Sequence, residues 1–220
     1  MSTHPVFLRL AGRPCVVVGG DPIAEAKTRT LVAAGARVRV IAAELSPGLA
    51  ELAAEGRVEH LGRGVRTGDL AGAFLAYVCV RDSASAAALR EEAEAAHVLL
   101  NVVDMPESCT FFAPAVVDRG GLKIAIGTGG ASPGLAAAMR RELEGRFGPE
   151  YATFVGILGA VRARVTRSTS RTDVLGALLD SPLLDLVRCG AQAEIDRLLA
   201  TIVGADCTLA TLGIVLGEAA

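Results

Sequence analysis

The chain has 220 residues, long enough for an α/β domain with a smaller appendage to bury a core without metal or disulfide staples. A formal net charge of −2 and the absence of tryptophan argue against a nucleic-acid partner, because neither a global basic field nor a base-stacking platform is present. The five cysteines, Cys15, Cys79, Cys109, Cys189 and Cys207, form no CxxC pair and lie mostly in apolar runs, which predicts buried thiols in a reducing cytoplasm. No charged region followed by an apolar stretch opens the chain, so no signal peptide is expected.

Cys15 to Val18 is a β-branched run ended by Gly19 and Gly20, and Ile23 to Ala34 then shows helical spacing until Gly35 stops it. Arg37 to Ile41 reads as a second strand. Ser46 and Pro47 open a second helix as cap and first helical residue, closing a βαβ unit with a parallel strand pair. The alternation continues through a short strand at Val58 to Leu61, a buried strand at Phe74 to Val80, a helix over Ser83 to Ala96 and a strand at Val98 to Val102. After Pro106 the pattern changes. Phe111 to Val117 and Leu122 to Ile126 are apolar runs separated by Asp118, Arg119, Gly120 and Gly121, which predicts a hairpin. Beyond Ser132 the periodicity is helical over Gly134 to Leu143, Pro149 to Val165, Val174 to Val187 and Gln192 to Ile202, with a polar linker or exposed loop at Arg162 to Thr172.

The apolar segment from Leu198 to Gly217 approaches the length of a membrane span. Its glycines and the central Asp206 favour instead a helix or helix pair in a core or dimer interface. The fold class expected is α/β: a Rossmann-like parallel sheet over 1–104, a β-hairpin with glycine loop and helix over 105–147, and a helical C-terminal domain over 148–220.

Ligands of open α/β sheets collect at the carboxyl ends of the strands, and three segments fall there. The first turn offers Gly19, Gly20, Asp21, Ile23 and Ala24. Gly19 and Ala24 match the first and third positions of a dinucleotide fingerprint, whereas Asp21 stands at the second and is equally a helix cap. Glu44, two or three positions late for a ribose partner, reads as well as a solvated residue. Asp104 follows a strand and precedes Pro106; it is either a general base or metal ligand, or an ordinary turn aspartate. Gly127 to Pro133 exposes several N–H donors to a phosphate or carboxylate, with a plain capped connection as the alternative. His4, His60 and His97 share no ligand spacing. Arg119, Lys123, Arg140 and Arg141 could receive substrate carboxylates or simply be solvated.

Taken as a set, Pro5 to Leu8, Val16 to Gly20, Ala24 to Lys27, Asn101 to Asp104, Phe112 to Val116, Asp118 to Gly120, Gly129 to Pro133 and Arg141 to Glu144 resemble the precorrin-2 dehydrogenase / sirohydrochlorin ferrochelatase family, the N-terminal module of siroheme synthase. The resemblance covers about residues 5 to 205. It implies a cytoplasmic oxidoreductase that converts precorrin-2 to sirohydrochlorin with NAD, with Fe²⁺ insertion (a lyase activity) at the same site, in a homodimer with no nucleic-acid or membrane partner. On that basis Asp104 is the catalytic residue and a transient metal ligand. Gly19, Gly20, Asp21, Ile23, Ala24, Ile41, Val80 and Arg81 hold the cofactor, and Asn101, Thr128, Gly129, Gly130 and Ser132 line the tetrapyrrole pocket. The chain departs from the family at Asp21, which replaces a cofactor-loop glycine, and at Val80 and Arg81, where the family has Thr followed by Asp or Asn. The methyltransferase domain of the fused synthases has no counterpart here, so synthesis of precorrin-2 is not expected. Two alternatives remain: a metal chelatase with a degenerate NAD site, and a non-catalytic tetrapyrrole-binding module.

Overall fold

The computed structural model describes residues 3–80, 83–165 and 170–216. Its contacts divide into two compact units, Met1–Ala113 with Gly129–Ala131, and Pro114–Thr128 with Ser132–Ala220.

In the first unit, β-branched runs build five parallel strands: β1 (Pro14–Val18), β2 (Arg37–Ile41), β3 (Val58–Leu61), β4 (Leu75–Val78) and β5 (Leu99–Val102). They lie in the order β3-β2-β1-β4-β5, so the direction of winding reverses between β1 and β4. Cys15 and Val17 face one side with Val38, Val40 and Leu75, where α1 (Pro22–Ala33) and α2 (Pro47–Ala54) cover them. Val16, Val18, Ala76 and Val78 face the other side with Leu89 and Ala93 of α3 (Ser83–Ala95). The central strands β1 and β4 are therefore buried on both faces, which is why they read as continuous apolar runs, whereas β2 alternates and β3 exposes Glu59 and His60. Both expected caps form: Asp21 Oδ1 accepts from Ala24 N–H at 2.8 Å, and Ser46 Oγ accepts from Leu49 N–H at 3.4 Å.

Strand β5 is an edge, but its outward-facing polar groups are all occupied. Leu100 N–H donates to Thr110 Oγ1 at 2.8 Å, and the Leu100 carbonyl accepts from Thr110 N–H at 2.8 Å. Val102 N–H donates to Cys109 Sγ at 3.2 Å. The chain reaches these positions by turning at Val102–Met105 and through a single 3₁₀ turn, Pro106–Ser108. The expected strand therefore does not start at Phe111. Its ring packs edge-on against Tyr77 with centroids 5.5 Å apart, and the hairpin begins later.

That hairpin, β6 (Ala115–Arg119) and β7 (Leu122–Ile126), is antiparallel and belongs to the second unit. Gly120 takes φ +63°, and a Cβ on Gly121 would lie 2.8 Å from Val155 Cγ1, so the turn is pressed against a helix. The helices are α4 (Pro133–Arg146), α5 (Glu150–Arg164), α6 (Ser170–Leu179), α7 (Leu183–Arg188) and α8 (Gln192–Ile202). The single helix expected over Val174 to Val187 is two. Pro182 brings no N–H to the ladder, and Ser181 Oγ donates to Leu178 O at 2.7 Å and accepts from Leu183 N–H at 3.2 Å across the break. Part of the expected linker, 166–169, lies outside the described residues.

The apolar segment after Leu198 is also not a helix pair. Helix α8 ends at Ile202, and the chain folds back so that Leu209 N–H donates to Asp196 Oδ1 at 2.7 Å while Cys207 and Leu209 enter the core. Among the described residues no helix is long and apolar enough to cross a membrane.

Candidate functional site

The crevice where winding reverses is built from glycine and small residues at the carboxyl ends of β1 and β4. Gly19 has φ +124°, and a Cβ there would meet Cys79 Cβ at 3.1 Å. Gly19 N–H donates to the Ile41 carbonyl at 2.9 Å and Cys79 N–H to that of Val18 at 2.7 Å, so β2, β1 and β4 end level with one another. Ala24 is fully buried at the third fingerprint position, which lets α1 approach the sheet closely. Ile41 is buried in the core on the opposite face of the sheet.

This arrangement fits a dinucleotide, with one opposing feature. The N-terminus of α1 points out of the first turn, and the N–H groups of Gly20, Asp21 and Ile23 have no partner among the described bonds. Ala24 N–H is already taken by the Asp21 carboxylate, which also brings negative charge to the place a pyrophosphate would use. Gly20 is demanded by packing rather than by a ligand: a Cβ would lie 1.8 Å from the Glu44 carbonyl oxygen. Glu44 itself is exposed and presents that carbonyl to the turn. Val80 is half-buried, and Arg81 lies outside the described residues.

Two neighbours of the crevice were given no site role by the sequence. The Cys79 thiol is pushed up to about 11 by burial, with the Asp21 charge adding and Lys27 opposing, so at neutral pH it is a protonated, unreactive group. The Lys27 ammonium sits 5.2 Å from the centre of the Tyr77 ring, a cation–π contact set by the one-turn offset of Lys27 from the helix start.

Asp104 lies two residues beyond β5 in an exposed turn. Met105 N–H closes that turn on the Val102 carbonyl at 3.3 Å, and Asp104 adopts φ +61°. Non-glycine residues enter this region rarely, Asp and Asn more readily than others, and such strain collects at working sites. Strand register places Ile41, Val18, Val78 and Val102 in one row, and the turn that carries Asp104 opens beyond that row, at the carboxyl end of β5. Two strand spacings separate β1 from β5, about 10 Å at the usual interstrand distance. In a fold of this type a dinucleotide binds outside the carboxyl ends of the strands at the reversal of winding, and Asp104 follows the carboxyl end of β5 on the same side of the sheet. Among the described residues no group of three or more His, Cys, Asp or Glu is disposed to hold a metal ion.

Asn101, also on β5, is engaged within the protein: its amide donates to the Phe111 carbonyl at 3.0 Å and approaches Cys109 Sγ at 3.6 Å. In the glycine loop, Gly129 and Gly130 take φ +62° and +83°. Thr128 Oγ1 accepts from Ser132 N–H at 3.1 Å, and Ser132 Oγ caps α4 through Leu135 N–H at 3.2 Å. The basic residues are mostly committed. Arg119 Nε and Nη2 donate to the Phe147 and Glu144 carbonyls at 2.7 and 3.1 Å, capping the end of α4, while Lys123 pairs with Asp118 and Arg140 with Glu144. Arg119, Lys123 and Arg140 are thus structural contacts rather than free anion receptors. His60 Nε2 is likewise engaged, 2.9 Å from the Ala42 carbonyl oxygen.

A groove of about 640 Å³ opens at the opposite edge of the sheet, lined by Arg37, Arg39, Glu59 and Ala71 among others. Its glycine turns, at Gly56 and Gly72, do not lead into a helix N-terminus as the one after β1 does, and Arg39 is paired with Glu59 at 2.9 Å.

Known proteins supply an independent comparison. A family model for NAD(P)-binding proteins matches residues 6–115, and one described as sirohaem biosynthesis protein central matches residues 119–146. A siroheme synthase from Methylobacillus flagellatus is 39% identical over 170 residues, covering 77% of this chain and 36% of the relative. One from Chromobacterium violaceum is 36% identical over 214 residues, covering 94% of this chain and 45% of the relative. The chain thus spans less than half the length of these curated relatives. The solved structure of SirC, precorrin-2 dehydrogenase, superimposes with a TM-score of 0.73 at 25% identity, covering 91% of this chain and 98% of that one. With the parallel sheet, the glycine turn at its reversal and the sirohaem segment in sequence, the chain belongs to the NAD(P)-binding family in the arrangement that siroheme synthases contain.

Proposed function

We propose that this chain oxidises precorrin-2 to sirohydrochlorin, with NAD as the hydride acceptor. The observation that carries the reading is Asp104, a carboxylate held in a left-handed turn after the carboxyl end of β5, on the side of the sheet where a dinucleotide binds. A bound nicotinamide supplies the acceptor for the hydride released from a ring C–H bond. Asp104 takes the proton lost in the same oxidation, so two electrons and two hydrogens are accounted for, and its exposure lets that proton pass to water. Gly20, Asp21 and Ile23 would hold the pyrophosphate through their N–H groups, with Gly19, Ala24, Ile41 and Val80 around the cofactor. Asn101 stiffens the segment after β5 through Phe111. Thr128, Gly129, Gly130 and Ser132 would offer a hydroxyl and backbone donors to the carboxylates of the macrocycle.

The same carboxylate supports a second step, insertion of Fe²⁺ brought as a substrate, because it can accept pyrrole N–H protons as the metal enters. Exposed Val116 on β6 and Leu135 and Met139 on α4 support a homodimer formed through the second unit. Free thiols and NAD chemistry support a cytoplasmic setting.

Anaerobic precorrin-2 with NAD and the folded protein should yield the sirohydrochlorin absorbance spectrum. Folded protein that binds sirohydrochlorin without turnover would leave a tetrapyrrole-binding module, and one that inserts Fe²⁺ without oxidising precorrin-2 would leave a chelatase alone.

Asp21 gives a separate expectation. Replacing it with Gly removes a like charge from the pyrophosphate position, a contribution of about 1–2 kcal/mol at intermediate dielectric, while costing the helix only a few tenths of a kcal/mol as a cap. Calorimetric titration of Asp21→Gly should show NAD binding about 5- to 20-fold tighter than the native chain. Unchanged affinity would mean that the carboxylate does not face the cofactor.

A further inference from the structure

Cys109 stands out because one sulfur atom touches both ends of the turn that carries Asp104. Its Sγ accepts from Val102 N–H at 3.2 Å and lies 3.3 Å from the Val102 carbonyl oxygen and 3.4 Å from that of Met105. Those two residues are the first and last of the four-residue turn. A thiol has a single proton, so Cys109 donates to one carbonyl at a time while remaining the acceptor for Val102 N–H. Val102 is 2% exposed, and removal of the sulfur would leave its N–H buried without a partner. The Cys109 thiol is pushed above its ordinary range chiefly by burial, which keeps the proton in place for donation at neutral pH. Its backbone is extended, at φ −93° and ψ 136°, so Ser, Ala and Val can all occupy the position without backbone strain.

We infer that Cys109 is the positioning residue for Asp104, clamping Val102 to Met105 so that the carboxylate keeps one orientation at the carboxyl edge of the sheet. This rests on the reading of Asp104 as the proton acceptor. An aspartate in the left-handed region is held at some cost by its surroundings, and a turn closed by one backbone bond at 3.3 Å is a weak constraint alone. The sulfur supplies the second tie. A reacting group displaced by a fraction of an ångström loses rate without losing substrate affinity, and that separates this role from a merely structural one.

The test measures anaerobic precorrin-2 oxidation in Cys109→Ala, Cys109→Val, Cys109→Ser, Asp104→Asn and the Asp104→Asn/Cys109→Ala double variant. Cys109→Ala should lower kcat about ten-fold with KM for NAD and precorrin-2 within two-fold. Cys109→Ser, which keeps a donor and an acceptor, should recover most of that loss. In the Asp104→Asn background, Cys109→Ala should cost nothing more. Wild-type kcat in Cys109→Ala beside an inactive Asp104→Asn overturns the clamp and leaves the role of Asp104 standing, whereas full activity in Asp104→Asn overturns the role of Asp104 itself. Equal losses in the serine and alanine variants, or alanine and valine variants that both fail to fold, make the contact structural only and also overturn the inference; if the alanine variant alone misfolds, the valine variant takes its place.

Discussion

Asp104→Asn should reduce precorrin-2 oxidation to a small residual rate while leaving the protein folded and as stable as the native chain. The substitution removes the proton acceptor and keeps nearly every atom of its shape, so the expected fall in kcat is about 10²- to 10⁴-fold, the range of a lost general base. Stability is preserved because Asn is the other side chain that enters the left-handed region readily, and the turn at φ +61° accepts it. The choice of variant matters. Asp104→Ala puts an ordinary Cβ at a positive φ and adds about 1 kcal/mol of strain, so lost activity there would mix chemistry with a loosened turn. Asp104→Gly fits the backbone best, and should be inactive yet no easier to unfold. Thermal melts beside initial rates would read both effects, and an asparagine variant with wild-type turnover would remove Asp104 from the mechanism.

Gly20→Ala should be the most destabilising single methyl addition in the first unit, with or without a nucleotide. The added carbon would sit 1.8 Å from the Glu44 carbonyl oxygen, 2.9 Å from its carbon and 3.0 Å from Ala42 Cβ. Backbone must move, and that backbone is fastened. The Gly20 carbonyl accepts from Ser46 N–H at 2.7 Å, and Ser46 Oγ donates to Glu25 Oε2 at 2.6 Å while capping α2. Relieving the clash breaks this set together, for which about 3 kcal/mol is expected. Gly127→Ala is the control, because nothing lies within 4 Å of its Cβ position and its φ is not positive. Denaturant unfolding should separate the two variants widely. Similar midpoints would mean that the connection after β2 yields freely.

Much of this was legible in the residues, for identifiable reasons. A strand buried on both faces must be apolar throughout, so Cys15 to Val18 announced itself, while Arg37 to Ile41 showed as alternation, and glycine after a helix or at a tight turn marked where each element stopped. Asp21 was readable both as a cap and as an intruder in the fingerprint, since a short carboxylate before Pro22 can bond the N–H three residues on. The break at Ser181 and Pro182 was signalled by the proline but outweighed by apolar spacing on either side. Phe111 looked like a strand residue because bulk is common to ladders and to aromatic contacts, and only the fold reveals that its partner is Tyr77. The arginines could not be sorted by sequence. Whether a guanidinium meets a ligand or a helix end depends on which carbonyls come within reach, and for Arg119 those belong to Glu144 and Phe147, far along the chain. The left-handed backbone of Asp104 was equally hidden, because it depends on a sulfur that returns from five residues downstream.

The saturation of β5 has a consequence beyond any site. Backbone groups along the rim of a sheet invite a foreign strand to join, and that is how folded chains polymerise edge to edge. Here Thr110 and Cys109 answer the rim groups of Leu100 and Val102 one for one, so the ladder terminates in side-chain bonds and has nothing to offer a sixth strand. Self-association of the protein is thereby steered away from that margin, and any strand added to the sheet would have to join at β3, the opposite edge.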